Sequence, residues 1–226
     1  MNIPSVKELF AANCHLGHKK EHSDPRFKKY IFGIRDGIYI LDLEKTQSQL
    51  TKVLEFLKLF SKEGKTVLFV GTKRQAKEIT KQTAEKISMP YVVSRWLGGT
   101  LTNFETIQSN IKNFEQLENK IISPEFAKLS KKEQSRDKKE AESKKKSFEG
   151  LKKLKKLPDA LFVVDTAHEN IAVLEAKKLG IPIIGVCDTN ANPDLIAEII
   201  PANDEAKKSI ELIVSLAGEA IASGKK

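Results

Sequence analysis

Four short stretches of this chain are apolar almost from end to end: TVLFV (66–70), YVV (91–93), ALFVVD (160–165) and PIIGV (182–186). They lack the in/out alternation of a strand with one wet face. Runs of this kind suit parallel strands covered on both sides by helices. IYIL (38–41) adds a strand on the N-terminal side, and EIIP (198–201) reads as a short last one.

Helical patterns fill the gaps. Residues 44–62 place Leu50, Val53, Leu54, Leu57 and Phe60 on one stripe. Residues 73–88 are polar with Ala76, Ile79, Ala84 and Ile87 facing inward. Residues 169–179 end at Gly180, with Pro182 just beyond, as a helix terminus should. Residues 205–222 form a closing helix, and Ser5 with Glu8 makes a capping box for an opening one. Strand and helix in alternation predict a doubly wound α/β sheet, with sites at the C-terminal ends of its strands.

Residues 104–157 break that rhythm, because they contain no strand. Phe104, Ile107, Ile111, Phe114, Leu117 and Ile121 form a narrow seam suited to one partner helix. Ser-Pro-Glu (123–125) ends that helix and starts another. The second carries Phe126 and Leu129, then Phe148, Leu151, Leu154 and Leu157. The expectation is an antiparallel, coiled-coil-like helical hairpin (104–157) projecting from one discontinuous body (1–103 and 158–226). From Ser130 to Ser147 the only apolar residue is Ala141, which predicts a solvated helix with a frayed or mobile tip.

Charge concentrates in the same place. The 226 residues carry a formal net charge of +9. Between Lys128 and Lys156 thirteen Lys or Arg face five acids, so this stretch supplies nearly all of it. A basic balance suits a polyanionic partner, and a solvated helix face would account for the same residues. No 18-residue apolar run exists, so no membrane partner is expected. No secretory pattern opens the chain, and two cysteines, Cys14 and Cys187, make no disulfide framework; both fit a reducing, cytoplasmic setting.

Three clusters could hold an anion. In LFVGTKRQAKE (68–78) an apolar strand ends at Gly71, and Thr72, Lys73, Arg74 and Gln75 follow before a helix. Backbone N–H groups at such a turn can face a phosphate. The spacing is neither that of a P-loop nor that of the three-glycine dinucleotide fingerprint, and no ribose-binding acid ends the next strand. A plain strand-to-helix turn with a solvated Lys-Arg pair is the alternative.

The second cluster is SRWLGGTLTNF (94–104). It combines Arg95, the single tryptophan Trp96, Gly98, Gly99, and the polar Thr100, Thr102 and Asn103. Phosphate or sugar oxygens would suit these donors. Trp96 could equally be core, with the glycines a turn.

The third is HLGHKKEHSDPRFKKYIF (15–32). Lys19, Lys20, Arg26, Lys28 and Lys29 interleave with Phe27, Tyr30 and Phe32, as suits RNA backbone and exposed bases. His18 and His22 could share a metal if helical, yet Asp24-Pro25 suggests a loop and no second ligand pair appears; no metal is expected. Catalytic motifs are missing. Asp165 and Asp188 end strands, but their contexts read as turns in which Asp bonds its own backbone.

Taken together, HLGHKKEHSDPRFKKYIFGIRDGIYILDLEKT, VLFVGTKRQAKE, YVVSRWLGGTLTNFETI, LPDALFVVDTAHENIAVLEAKKLGIPIIGVCDTNANPD and IIPANDEAKKSI resemble the ribosomal protein S2 family of the small subunit, over about Val6 to Leu216. The resemblance implies a flavodoxin-like body with a protruding helical hairpin of the bacterial or organellar type. It implies a place on the back of the small subunit, contacts with small-subunit rRNA, and a part in docking the large mRNA-binding ribosomal protein. On that reading the anion at Gly71 is rRNA. Lys19, Arg26, Lys28, Lys73, Arg74 and Arg95 would neutralise phosphates, with Thr72, Gln75 and Asn103 as further contacts, while Trp96, Gly98 and Gly99 let the backbone lie close. No cofactor, no catalysis and no homo-oligomer are expected. The competing reading is a Rossmann-like enzyme with a nucleotide or phosphate cofactor.

Overall fold

The computed structural model describes residues 3–225. The chain opens with α1 (Val6–Ala11), where Ser5 Oγ accepts from the Glu8 N–H at 3.3 Å and the Glu8 carboxylate accepts from the Ser5 N–H at 2.7 Å. A three-stranded antiparallel sheet follows, made of β1 (Leu16–Lys19), β2 (Ile31–Arg35) and β3 (Ile38–Leu41) in the order β1-β3-β2. Only β3 reads as a strand in the sequence. β1 and β2 lie in the segment read as a loop, since both are short, largely exposed and interrupted by glycine. Non-local pairing to β3 makes them strands. Between them, Asp24 caps a 3-10 helix (Pro25–Tyr30) by accepting from the Arg26 N–H at 2.9 Å, which turns Phe27 and Tyr30 into the core.

The body continues through α2 (Leu43–Lys62), β4 (Val67–Val70), α3 (Lys77–Lys86), β5 (Tyr91–Val92), α4 (Phe104–Ile122) and α5 (Lys131–Phe148). It ends with β6 (Ala160–Val164), α6 (Asn170–Lys178), β7 (Ile183–Cys187), β8 (Glu198–Pro201) and α7 (Lys207–Gly224). The five strands β4–β8 pair in parallel in the order β5-β4-β6-β7-β8. That is the flavodoxin-like, doubly wound order.

Every residue of β4, β6 and β7 is buried. Alternate residues serve opposite faces. Phe69 and Phe162 join Leu50, Leu54, Ile210 and Ile213 under α2 and α7. Leu68 and Leu161 join Trp96, Ile111, Phe114 and Val173 on the other side. Each such fully buried side chain contributes about 1.5–3 kcal/mol relative to leaving it in water. α3 starts at Lys77, four residues later than the pattern suggests, because residues 73–76 form a turn in which the Lys73 carbonyl accepts from the Ala76 and Lys77 N–H groups.

α4 and α5 pack against one another in opposite directions. Ile107, Ile111 and Phe114 are buried with Phe148, Leu151 and Leu154, in the same cluster as the sheet residues Leu161 and Val163. The base of the helical pair therefore shares the core of the body. Further out the seam is polar: Lys120 donates to the Asp137 carboxylate at 2.7 Å. Residues 131–148 are helical throughout, and Ser130 with Glu133 forms a capping box at the start. Among the described residues no helix is long and apolar enough to cross a membrane.

Candidate nucleic-acid interface

All three anion-binding candidates meet at the C-terminal edge of the parallel sheet. The turn after β4 and the loop after β5 leave adjacent strands. The N-terminal segment is tied to the loop after β7: the Asp24 N–H donates to the Thr189 carbonyl at 2.8 Å, and the His18 N–H to Thr189 Oγ1 at 3.0 Å.

Inside this edge lie carboxylates. The Thr72 N–H donates to Glu169 Oε1 at 2.7 Å, and Thr72 Oγ1 lies 3.2 Å from His168 Nε2. At the neighbouring loop, Trp96 Nε1 and the Gly99 N–H donate to Glu175 Oε1 at 3.0 and 2.7 Å. The Leu101 and Thr102 N–H groups donate to its Oε2 at 2.9 and 3.1 Å. Gly99 has φ of +89°, a conformation open to glycine without a Cβ penalty. Glu175 of α6 thus fills the nest of the 94–104 loop, and Glu169, the N-cap of α6, takes the Thr72 N–H of the turn after β4. Burial pushes the Glu175 carboxyl up, but the indole and three backbone N–H groups outweigh it and hold its pKa below the usual value.

Lys73 and Trp96 point into the protein. The Lys73 ammonium contacts Asp165 and lies 2.9 Å from Asp204 Oδ1 and 3.8 Å from Glu205. Burial lowers its pKa, and Asp204 and Asp165 together raise it further than that, so it stays charged. Trp96 is 5% exposed. Its ring has its hydrogen-bond partner in Glu175 and belongs to the core. Asp165 also accepts from the His168 N–H at 2.9 Å, the self-bonded turn its context suggested.

The remaining candidates face outward. Arg74, Gln75, Arg95, Gly98, Asn103, Lys19, Arg26 and Lys28 are exposed, with Gly99 and Thr72 half-buried. Arg26 is already bidentate to Asp24, at 3.0 and 2.7 Å, and reaches Asp194 at 3.2 Å. Asn103 Oδ1 accepts from Thr106 Oγ1 at 2.8 Å at the start of α4.

His18 sits on β1, where His22 does not join it. Its Nδ1 lies 3.0 Å from Asp188 Oδ2, and its Nε2 lies 3.6 Å from Glu205. His18, Asp188 and Asp204 bring one nitrogen and two carboxylate oxygens within 4.8 Å of one another, a donor set compatible with a divalent cation. Asp188 raises the His18 pKa to about 9, and burial with Asp165 and Asp188 nearby pushes Asp204 up to about 7.

Glu169, Glu175 and Asp204 belong to no motif with recognisable spacing in the sequence. The one trace is Glu175 itself, an acid at a position that the Ala172, Val173 and Ala176 stripe marks as inward.

A second surface lies on the antiparallel sheet. Phe10, Phe32 and Ile34 are 59%, 79% and 54% exposed. The Phe10 and His15 rings stack at 4.2 Å and 11°. Two grooves of about 350 and 560 Å³ run beside Phe10, His15 and Phe32.

The family model described as Ribosomal protein S2 matches residues 9–224. The small ribosomal subunit protein uS2 of Thermus thermophilus is 48% identical over 217 residues, covering 96% of this chain and 85% of that relative. The small ribosomal subunit protein uS2 of Coprothermobacter proteolyticus is 47% identical over 225 residues, covering 100% of this chain and 84% of that relative.

Proposed function

This chain belongs to the ribosomal protein S2 family and is a structural constituent of the small ribosomal subunit; we propose that rRNA holds it there through the basic rim of its sheet edge. The carrying observation is the split between inner and outer groups. Glu169 takes the Thr72 N–H of the first turn and Glu175 fills the nest of the 94–104 loop, where a cofactor phosphate would sit, while Arg74, Arg95, Lys19 and Lys28 are exposed to solvent. Such a surface recognises a polyanion by its backbone and shape, and performs no chemistry on it. The filled nest speaks against the cofactor-dependent alternative.

The exposed aromatic patch supports a second contact. Phe10, Phe32 and Ile34 beside open grooves form an anchor site for an apolar segment of another protein. In this family setting the partner is a neighbouring small-subunit protein, and the large mRNA-binding one is the candidate we favour. The cytoplasm is the compartment this reading entails.

Co-sedimentation with small subunits stripped of their own copy, across a salt series, tests the proposal. Saturable binding near one copy per subunit, weakening as salt rises, is the expected outcome. No saturable binding at any salt would refute it.

A further inference from the structure

Among the described residues, the buried acids Glu169 and Glu175 meet no cation, and Glu175 has the larger set of donors. Glu175 is 8% exposed and sits on the inward face of α6 beside Ala172, Val173 and Ala176. Among the described residues, every donor it meets comes from one loop. Trp96 Nε1 and the Gly99 N–H, at 3.0 and 2.7 Å, reach one oxygen. The N–H groups of Leu101 and Thr102 and the Thr102 hydroxyl, at 2.9, 3.1 and 3.2 Å, reach the other. Successive N–H groups curved around an anion form a nest, and nests of this kind elsewhere hold phosphates. Here the anion is part of the chain.

We propose that Glu175 is the positioning residue of the RNA-contacting loop: an internal carboxylate that stands where a phosphate would, fixes residues 96–102 around itself, and so aims Arg95 and Asn103 outward. The inference rests on the RNA reading given above. Its physical logic is preorganisation. A loop rich in glycine and threonine would otherwise sample many conformations, and binding would have to order it. With the carboxylate in place the loop is ordered beforehand. Residues 100–103 are held further by the Thr100 Oγ1 bond to the Leu97 carbonyl at 2.6 Å and the Asn103 N–H bond to the Gly99 carbonyl at 2.8 Å. Arg95 precedes the wrapped segment and Asn103 follows it at the N-cap of α4, so both inherit its geometry.

Trp96 is the only tryptophan, which makes its emission a direct report on the nest. Full-length Glu175→Ala is expected to shift that emission to the red and to weaken association with stripped small subunits roughly tenfold, the scale of freeing two or three ordered side chains. Acetate should restore both readings saturably, and chloride at matched ionic strength should restore neither. The salt dependence of binding should fall by about one counterion, as it does on losing a single phosphate contact. Arg95→Ala should then cost little in the Glu175→Ala background, because the arginine is no longer aimed.

If Glu175→Ala changes the emission and leaves affinity at the wild-type level, the inference is overturned. Additive losses for the two substitutions would also overturn it, since they would mark a role in stability alone. Where Glu175→Ala does not fold, Glu175→Gln carries the same test: its amide keeps one acceptor oxygen but replaces the other with an NH2 group that cannot accept, leaving two of the loop's N–H donors without a partner, and wild-type affinity with shifted emission sinks the idea. If the wild-type protein itself does not bind, the RNA reading fails and is distinguished from failure of this inference.

Discussion

Lys73 donates to Asp204 at 2.9 Å across the end of the sheet, joining the turn after β4 to the segment after β8. Asp165, from the end of β6, contacts the same ammonium. The lysine of an apparent phosphate turn thus binds the body of the protein together. Lys73→Ala leaves buried carboxylates without their cation and should cost about 3–5 kcal/mol, the usual penalty for breaking a buried pair. Arg74→Ala, by contrast, should leave the melting temperature unchanged and reduce the salt slope of subunit binding by about one. Thermal melts and salt-dependent binding of the two variants separate the roles. Equal melting temperatures for both would refute the assignment.

Phe32 is 79% exposed, so little of its area is buried in the isolated chain. Phe32→Ala should alter folding stability by no more than about 0.5 kcal/mol. As an interface anchor it should weaken retention of the large mRNA-binding protein on small subunits by about 2 kcal/mol or more. Quantifying that protein on subunits reconstituted with the variant is the check, and full retention would remove Phe32 from the contact.

The acid cluster around His18 makes stability depend on pH. The folded His18 pKa is raised to about 9, so its contribution is complete below its ordinary value and is lost as pH rises through about 9. Asp204 is raised to about 7, so protonation favours the folded state below that pH and the benefit disappears as pH rises through it. Both signs agree: with a chelator present, the melting temperature should fall between pH 6 and pH 9, within the window these two shifts define. His18→Asn should flatten the upper part of that fall. A wild-type melting temperature that rises over this range would contradict the geometry.

The helical pair should divide at its polar seam. Phe114 is fully buried with the core of the body, and Phe114→Ala should cost about 3–5 kcal/mol. Replacing residues 118–145 by a short Gly-Ser turn removes mostly solvated helix and should leave the body melting within a few degrees of wild type. Deleting 104–157 in full should destabilise it severely, since Ile107, Ile111, Leu151 and Leu154 go too. Calorimetry of the two deletions checks this, and equal melting temperatures would show that the base adds nothing to the core.

Local pattern alone determined the order and type of the main elements. β4, β6 and β7 are unbroken apolar runs, and α2 carries a full stripe, because burial on both faces or on one helical face leaves a mark that repeats along the chain. The outward basic residues were legible for the same reason: Arg74 and Arg95 follow strand ends, and in a doubly wound sheet strand ends share an edge. Tertiary structure alone decided what fills that edge. Glu175 reaches the 96–102 loop across more than seventy residues, and Lys73 reaches Asp204 across 131. No spacing rule links such positions, because their proximity exists only once the strands have chosen their neighbours. The same holds for β1 and β2, whose sequences are too short and too exposed to signal a strand until β3 lies between them.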